Sequence, residues 1–123
     1  MYEVMVEDRF DAAHQLIGYS GPCEKLHGHG WIVQAYISGK KLNKLGMLVD
    51  FRKVKAELRS IIAKVDHRNL NTLSSFKGTN PTSENVAKFI YGALGKKIKS
   101  GLKLTKVTVY ESPTSKATYL GEK

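Results

Sequence analysis

Side chains in the first third of the chain alternate in character, and this restricts that part to a sheet with one buried face. Six residues of one parity are aromatic, aliphatic or histidine: Tyr2, Val4, Val6, Phe10, Ala12 and His14. Most residues between them are charged, and the alternation returns at about 29–39. Because successive side chains of a strand point to opposite faces, both segments predict half-buried strands.

Two amphipathic helices are predicted after these strands. Asp50 is suited to cap the first helix, whose apolar residues recur at helical spacing: Val54, Leu58, Ile61, Ile62 and Val65. Thr82 or Ser83 is expected to cap the second, with Gly95 at the position just past its end. Its apolar stripe consists of Val86, Phe89, Ile90, Ala93 and Leu94.

Two further strands are predicted at about 104–111 and 116–120, with Thr105, Val107, Val109 and Glu111 on one face of the first. The resulting order is β-β-α-α-β-β. It predicts an α+β fold in which a four-stranded antiparallel sheet carries two helices on one face, within a single domain of residues 1–123. Such a small sheet has open edges, and association between subunits is one way to cover them.

The charge balance leaves open what the chain binds. There are 20 Lys and Arg against 11 Asp and Glu, a formal net charge of +9. Much of the excess lies in two stretches: Lys40, Lys41 and Lys44, then Lys96, Lys97, Lys99, Lys103 and Lys106. No nucleic-acid-binding motif accompanies them, so we favour a solvated surface over nucleic-acid binding. Reception of a small phosphorylated substrate is the third interpretation.

Membrane and secretory classes are not expected. No apolar run approaches the ~20 residues of a membrane helix, and the first ten residues include Glu3, Glu7 and Asp8. A single cysteine cannot form an intrachain disulfide. These features favour a protein of the reducing cytoplasm, without membrane contact.

Histidines on inward-facing parities suggest a metal site. His14 ends the first strand, and His27 and His29 lie two residues apart on one face of the second. Three neutral imidazoles can hold Zn²⁺ at ~2.0–2.1 Å and leave a fourth position open, as in catalytic zinc sites. A lone inward histidine is usually a hydrogen-bonded core residue, but three of four histidines are harder to explain in that way.

Four other residues could carry chemistry. Cys23, four residues before His27, could be a base, a fourth zinc ligand in a closed structural site, or a small core residue. Asp66 could orient His67 for proton transfer, or His67 could interact with the helix C-terminus. Glu111 could accept two parallel hydrogen bonds from a ligand, or lie solvated at a strand end.

Six motifs occur in a specific order: Phe10-Asp11-Ala12-Ala13-His14, Cys23-x-x-x-His27-Gly28-His29, Leu48-Val49-Asp50-Phe51, Asp66-His67-Arg68-Asn69-Leu70-Asn71, Asn80-Pro81-Thr82-Ser83-Glu84-Asn85 and Glu111-Ser112. Together they resemble the 6-pyruvoyltetrahydropterin synthase/6-carboxytetrahydropterin synthase family over nearly the whole chain. The three-residue gap after the cysteine resembles the bacterial and archaeal 6-carboxytetrahydropterin synthases of queuosine and archaeosine precursor synthesis. The resemblance implies the tunnelling fold, with trimers closing a barrel and two trimers stacking as a hexamer.

The resemblance also implies roles for individual residues. It implies that His14, His27 and His29 bind zinc, and that Cys23, Asp66 and His67 form the proton-transfer set. It implies that Glu111 anchors the pterin, usually from a neighbouring subunit, with Thr82 and Ser83 nearby. The implied substrate is 7,8-dihydroneopterin triphosphate, and the implied products are 6-carboxy-5,6,7,8-tetrahydropterin, acetaldehyde and triphosphate.

Glu24 departs from this pattern. In another branch of the family a glutamate at this offset replaces the cysteine, and the product is 6-hydroxymethyl-7,8-dihydropterin for folate synthesis. This chain carries both Cys23 and Glu24. We expect Cys23 to be the main base and Glu24 to be auxiliary, with the hydroxymethyl-forming reaction as the alternative. A non-catalytic basic zinc protein that binds nucleic acid is the hypothesis of a different class.

Overall fold

The computed structural model describes residues 1–18 and 25–122 as a five-stranded sheet with two α-helices. The strands are β1 (Tyr2–His14), β2 (His27–Gly39), β3 (Arg68–Asn69), β4 (Leu102–Ser112) and β5 (Ser115–Tyr119), and the helices are α1 (Phe51–Ile62) and α2 (Ser83–Gly95). The strands lie side by side in the order β3-β1-β2-β4-β5. The fold is therefore α+β.

The two alternating segments form one long antiparallel hairpin. β1 and β2 pair along their full length, from Tyr2 opposite Gly39 to His14 opposite His27. Their inward-facing parity supplies much of the core: Val6, Phe10, Ala12, Trp31, Val33, Ala35 and Ile37. Tyr2 is an exception and lies exposed at the end of the sheet. This register brings the three histidines of the two strands to one end of the hairpin.

The sheet is mixed rather than antiparallel, because a short strand that the sequence analysis did not expect joins its edge. β3 pairs parallel to β1, with Arg68 opposite Ala12 and Asn69 opposite Ala13. Just before it, the backbone N–H of His67 donates to the carbonyl of Asp11 at 2.6 Å. Two residues show no alternation, so a period-2 pattern cannot reveal such a strand. The prediction of a sheet of four antiparallel strands was therefore wrong. The structure has a fifth strand, β3, which lies between the two helices in the chain.

Both helices are capped as their first residues predict, and they pack against the sheet. The Asp50 side chain accepts from the backbone N–H of Arg52, and the Thr82 side chain accepts from that of Asn85. The second helix ends differently from the prediction, because Gly95 is its last helical residue and Lys96 is the C-cap. Within the described residues, neither helix is long and apolar enough to cross a membrane.

Register shifts along β4 change which of its side chains face the core. Ile37 pairs with Leu104 and Tyr36 with Lys106, which leaves Thr105 as an additional residue. Leu104 is consequently buried, although the parity argument placed Thr105 on that face. A second shift against β5 falls between Tyr110 and Ser112. Bulges re-aim side chains, and the second one contains Glu111.

Candidate functional site

Three histidines converge at the end of the β1–β2 hairpin. The ring centroids of His14 and His27 are 4.6 Å apart, and those of His27 and His29 are 4.7 Å apart. His14 is almost fully buried at 1% exposure, whereas the other two are half-buried. One ligand atom from each of them and from Glu111 lies within 4.8 Å of the others, a group that could hold a metal ion. This is the cluster that strand parity predicted, with a carboxylate added.

Hydrogen bonds to the backbone orient two of these rings. Nδ1 of His14 lies 2.7 Å from the carbonyl oxygen of Pro81, and Nδ1 of His27 lies 2.7 Å from that of Lys25. A carbonyl only accepts, so Nδ1 carries a proton in both rings, and Nε2 is the nitrogen left to bind a metal. Such backbone acceptors commonly fix the tautomer of metal-binding histidines.

Buried ring nitrogens without a hydrogen-bond partner support the same interpretation. Within residues 1–18 and 25–122, Nε2 of His14 and Nε2 of His29 are buried and form no aligned hydrogen bond. An unsatisfied buried polar atom is costly, and in a native site it indicates an unfilled role. A divalent metal that accepts a lone pair from each nitrogen would satisfy both atoms, so the donor set fits zinc.

Glu111 lies against the same two nitrogens. Its Oε1 is 3.0 Å from Nε2 of His14 and 3.4 Å from Nε2 of His29. Burial lowers the pKa of His29, although the Glu111 carboxylate partly opposes this effect. The neighbouring imidazoles of His14 and His27 lower it further. His29 therefore favours the neutral form, which is the form that ligates metals.

Asp66 and His67 form a second cluster in the turn after α1. Nδ1 of His67 is 3.0 Å from Oδ1 of Asp66, which also accepts from the backbone N–H of Asp11 at 3.0 Å. Adjacent residues can pair in this way because α1 has already ended at Ile62 and His67 adopts a positive φ of 58°. The structure brings the two side chains together, and the orienting role of Asp66 stays a prediction.

Sequence reasoning missed an arginine beside this pair. Nη1 of Arg59, in the last turn of α1, lies 3.6 Å from Oδ2 of Asp66. The same guanidinium binds the carboxylate of Asp8, and this hydrogen bond raises the pKa of Arg59. Asp8 is 51 residues away in sequence, so no local pattern could indicate the contact.

An open surface pocket lies beside one residue of each cluster. It has a volume of about 590 Å³, and both His29 and His67 contribute to its lining. Gly28 and Gly30 form part of its wall, and their missing side chains leave room beside the strand. A ligand in this pocket would therefore contact His29 of the first cluster and His67 of the second.

Comparison with known proteins shows the family to which the chain belongs. Residues 3–122 match the family described as 6-pyruvoyl tetrahydropterin synthase. The chain belongs to the 6-pyruvoyl tetrahydropterin synthase family. This pterin synthase family acts on a small-molecule pterin substrate. The resemblance stated from the six motifs is thereby confirmed.

Individual relatives match this chain over most of its length. A Synechocystis protein named 6-carboxy-5,6,7,8-tetrahydropterin synthase is 36% identical, covering 97% of this chain and 93% of its own. The structure of Caenorhabditis elegans 6-pyruvoyl tetrahydropterin synthase superposes with a TM-score of 0.85 at 34% identity, covering 99% and 98%. A Pyrococcus furiosus dihydroneopterin monophosphate aldolase is 33% identical, covering 83% and 82%. One family thus includes relatives with three named activities.

The other predicted site residues are Thr82, Ser83, Cys23 and Glu24. The Thr82 hydroxyl caps α2, and Ser83 is the first helical residue. This segment reaches the histidine cluster through its backbone, because the Pro81 carbonyl holds His14. Cys23 and Glu24 lie outside the described residues, so their predicted roles remain predictions.

Proposed function

We propose that this chain, as a single cytoplasmic domain, converts 7,8-dihydroneopterin triphosphate and one water molecule to 6-carboxy-5,6,7,8-tetrahydropterin, acetaldehyde and triphosphate. The reaction would make it a carbon–oxygen and carbon–carbon lyase that provides the precursor of queuosine or archaeosine. The relative from Synechocystis that bears the corresponding name supports this choice.

The observation that carries the proposal is the convergence of three imidazoles, each with a ligand atom within 4.8 Å of the others, two of them with Nδ1 held by a backbone carbonyl. His14, His27 and His29 would hold the zinc ion. When bound, the zinc would act as a Lewis acid toward the side-chain hydroxyls of the pterin. Three protein ligands leave a position open for substrate, as expected for a catalytic rather than a structural ion.

The protein's own residues would move protons and hold the ring. Cys23, as a thiolate, would take a proton from the substrate side chain, and His67 would return one while Asp66 holds its Nδ1–H. Glu111 would accept two hydrogen bonds from the amino-pyrimidine edge of the pterin. Thr82 and Ser83 are proposed to lie near that ring, and basic residues to neutralise the triphosphate.

A second candidate reaction is side-chain cleavage to 6-hydroxymethyl-7,8-dihydropterin. Glu24 beside Cys23 favours it, and so does the 33% identity to a relative named dihydroneopterin monophosphate aldolase. Formation of 6-pyruvoyltetrahydropterin is a third candidate, because the similar C. elegans structure bears that name. A basic zinc protein that binds nucleic acid is the alternative without catalysis.

Product identification separates these candidates. We expect mass spectrometry after incubation with 7,8-dihydroneopterin triphosphate to detect 6-carboxytetrahydropterin. Cys23→Ala should abolish this product, because a thiol with an ordinary pKa of about 8.5 needs only a modest downward shift to act as a base at neutral pH. Glu24→Ala is the matched control and should retain most of it.

The opposite pattern would assign the chain to the folate branch. In that case the wild type forms 6-hydroxymethyl-7,8-dihydropterin and Glu24→Ala, not Cys23→Ala, is inactive. Salt-sensitive retention on a polyanion column without turnover of any pterin would instead favour the nucleic-acid alternative.

We further propose that the active form is a homo-oligomer, a hexamer built from two trimers. Among the described residues, β3 covers only Ala12 and Ala13 on the outer side of β1. The remainder of this long strand is an open edge, as is β5 on the other side of the sheet. Pairing of these edges between subunits would satisfy the exposed backbone groups.

A further inference from the structure

The His67 side chain has one close partner. It is 77% exposed, and Asp66 is the one side chain of the described residues that forms an ion pair with its ring, while the Asp11 carboxylate lies farther off, within 4.8 Å. An exposed imidazole samples several rotamers unless a partner holds it. The direction of the Asp66 carboxylate therefore decides where His67 presents its second nitrogen.

Two groups hold the Asp66 carboxylate from different sides. The backbone N–H of Asp11 donates to Oδ1 at 3.0 Å, and this is the same oxygen that faces His67. The other oxygen, Oδ2, faces Nη1 of Arg59 at 3.6 Å. With Oδ1 alone fixed, the carboxylate could still turn about its remaining torsion. The ion pair with Arg59, which is longer than a hydrogen bond, attracts Oδ2 and so favours one plane.

Contacts with β1 fix the Arg59 guanidinium independently of Asp66. Its Nε donates to Oδ2 of Asp8 at 2.9 Å, and its Nη2 donates to the carbonyl of Arg9 at 2.7 Å. The planar guanidinium has its donors in a rigid fork. Anchoring one edge of the fork on β1 therefore sets the direction of Nη1 toward the turn that contains Asp66.

We propose that Arg59 is a positioning residue for proton transfer, which acts by holding the Asp66 carboxylate in the plane that orients His67. This inference rests on the proposed function, because it gives His67 the proton-returning role. It explains why a surface arginine, 44% exposed, is shared between two aspartates of which Asp66 belongs to the pair. If Arg59 only linked α1 to β1, its contact with Asp8 would be sufficient.

The kinetic test compares two arginines of the same helix. We expect Arg59→Gln to lower kcat about 10-fold with KM within about twofold, since small displacements of a reacting group can cost up to ~100-fold. Arg59→Lys should recover part of the loss, because it keeps the charge without the fork. Arg52→Gln is the control: Arg52 is 93% exposed, and its nearest acid, Asp50, is 4.0 Å away.

Nitrogen-15 NMR of the His67 ring measures the population of its tautomers, which a purely structural role of Arg59 would not change. In the wild type and in Arg52→Gln, we expect the Nδ1–H tautomer to dominate, whereas in Arg59→Gln its population should fall. Thermal unfolding of each variant checks that the protein is folded. If Arg59→Gln does not fold, the tautomer and kcat of Arg59→Lys decide in the same way.

Two outcomes overturn the inference, and they are distinguishable. If His67→Ala is inactive while Arg59→Gln and Arg59→Lys keep the wild-type kcat and tautomer, Arg59 only braces α1, and the proposed function stands. If His67→Ala retains full activity, the role of His67 in the proposed function fails, and the positioning role of Arg59 fails with it.

Discussion

Glu111 gains its position from a local irregularity of β4. It lies at the register shift between Tyr110 and Ser112, and its carboxylate is 3.0 Å from the buried Nε2 of His14. Its side chain nevertheless remains 29% exposed, so a ligand can reach the carboxylate. Two roles are compatible with this geometry, an additional metal ligand and the pterin anchor that we propose.

Substitution of Glu111 distinguishes these roles. We expect Glu111→Gln to keep its zinc and to raise KM about 10-fold or more, because a charge-assisted hydrogen bond contributes ~1.5–3 kcal/mol. His29→Ala is the comparison and should lose zinc and activity together, since it removes one of three imidazoles. Metal analysis of both purified variants, with pterin titration, provides the measurement. Loss of zinc from Glu111→Gln would make Glu111 a ligand instead.

At the scale of elements, the turn after α1 determines the backbone of the proton-transfer pair. His67 has a φ of 58°, a left-handed conformation that is strained for residues with a Cβ. Its N–H to the Asp11 carbonyl holds this conformation next to β3. The strain thus lies at the residue proposed to return a proton, as is common at functional sites.

Glycine should therefore stabilise this position relative to alanine. We expect the free energy of unfolding of His67→Gly to exceed that of His67→Ala by about 1 kcal/mol, because only alanine has a strained Cβ at this φ. Both variants lack the imidazole, so both should lose activity. Urea unfolding of the pair measures the difference. Equal or reversed stabilities would contradict the left-handed backbone at His67.

At the scale of the whole molecule, the open edge of β1 predicts assembly. Thirteen residues form this strand, and β3 pairs with two of them on its outer side. Long unpaired edges are a liability that proteins cover. We expect light scattering at micromolar concentration to give about six times the chain mass of 13.7 kDa. A species with the mass of one chain would exclude the proposed pairing of edges between subunits.

The sequence by itself determined the hairpin, the helices and the convergence of the histidines. Each depends on a short period: two for β1 and β2, and 3.6 for α1 and α2. Because His14, His27 and His29 share the buried parity, a correct register brought them together. The family resemblance, carried by ordered motifs, identified the chemistry that this cluster suits.

Only the tertiary structure decided the features that depend on distant contacts. β3 exists because the turn after α1 reaches Asp11 of β1, and Arg59 acquires its role because Asp8 and Asp66 meet it from separate elements. The shift at Thr105 likewise depends on how β4 pairs with β2. Periodicity reports which side of its own element a residue occupies. It contains no information on which residue of another element lies opposite, because packing of the whole chain sets that contact.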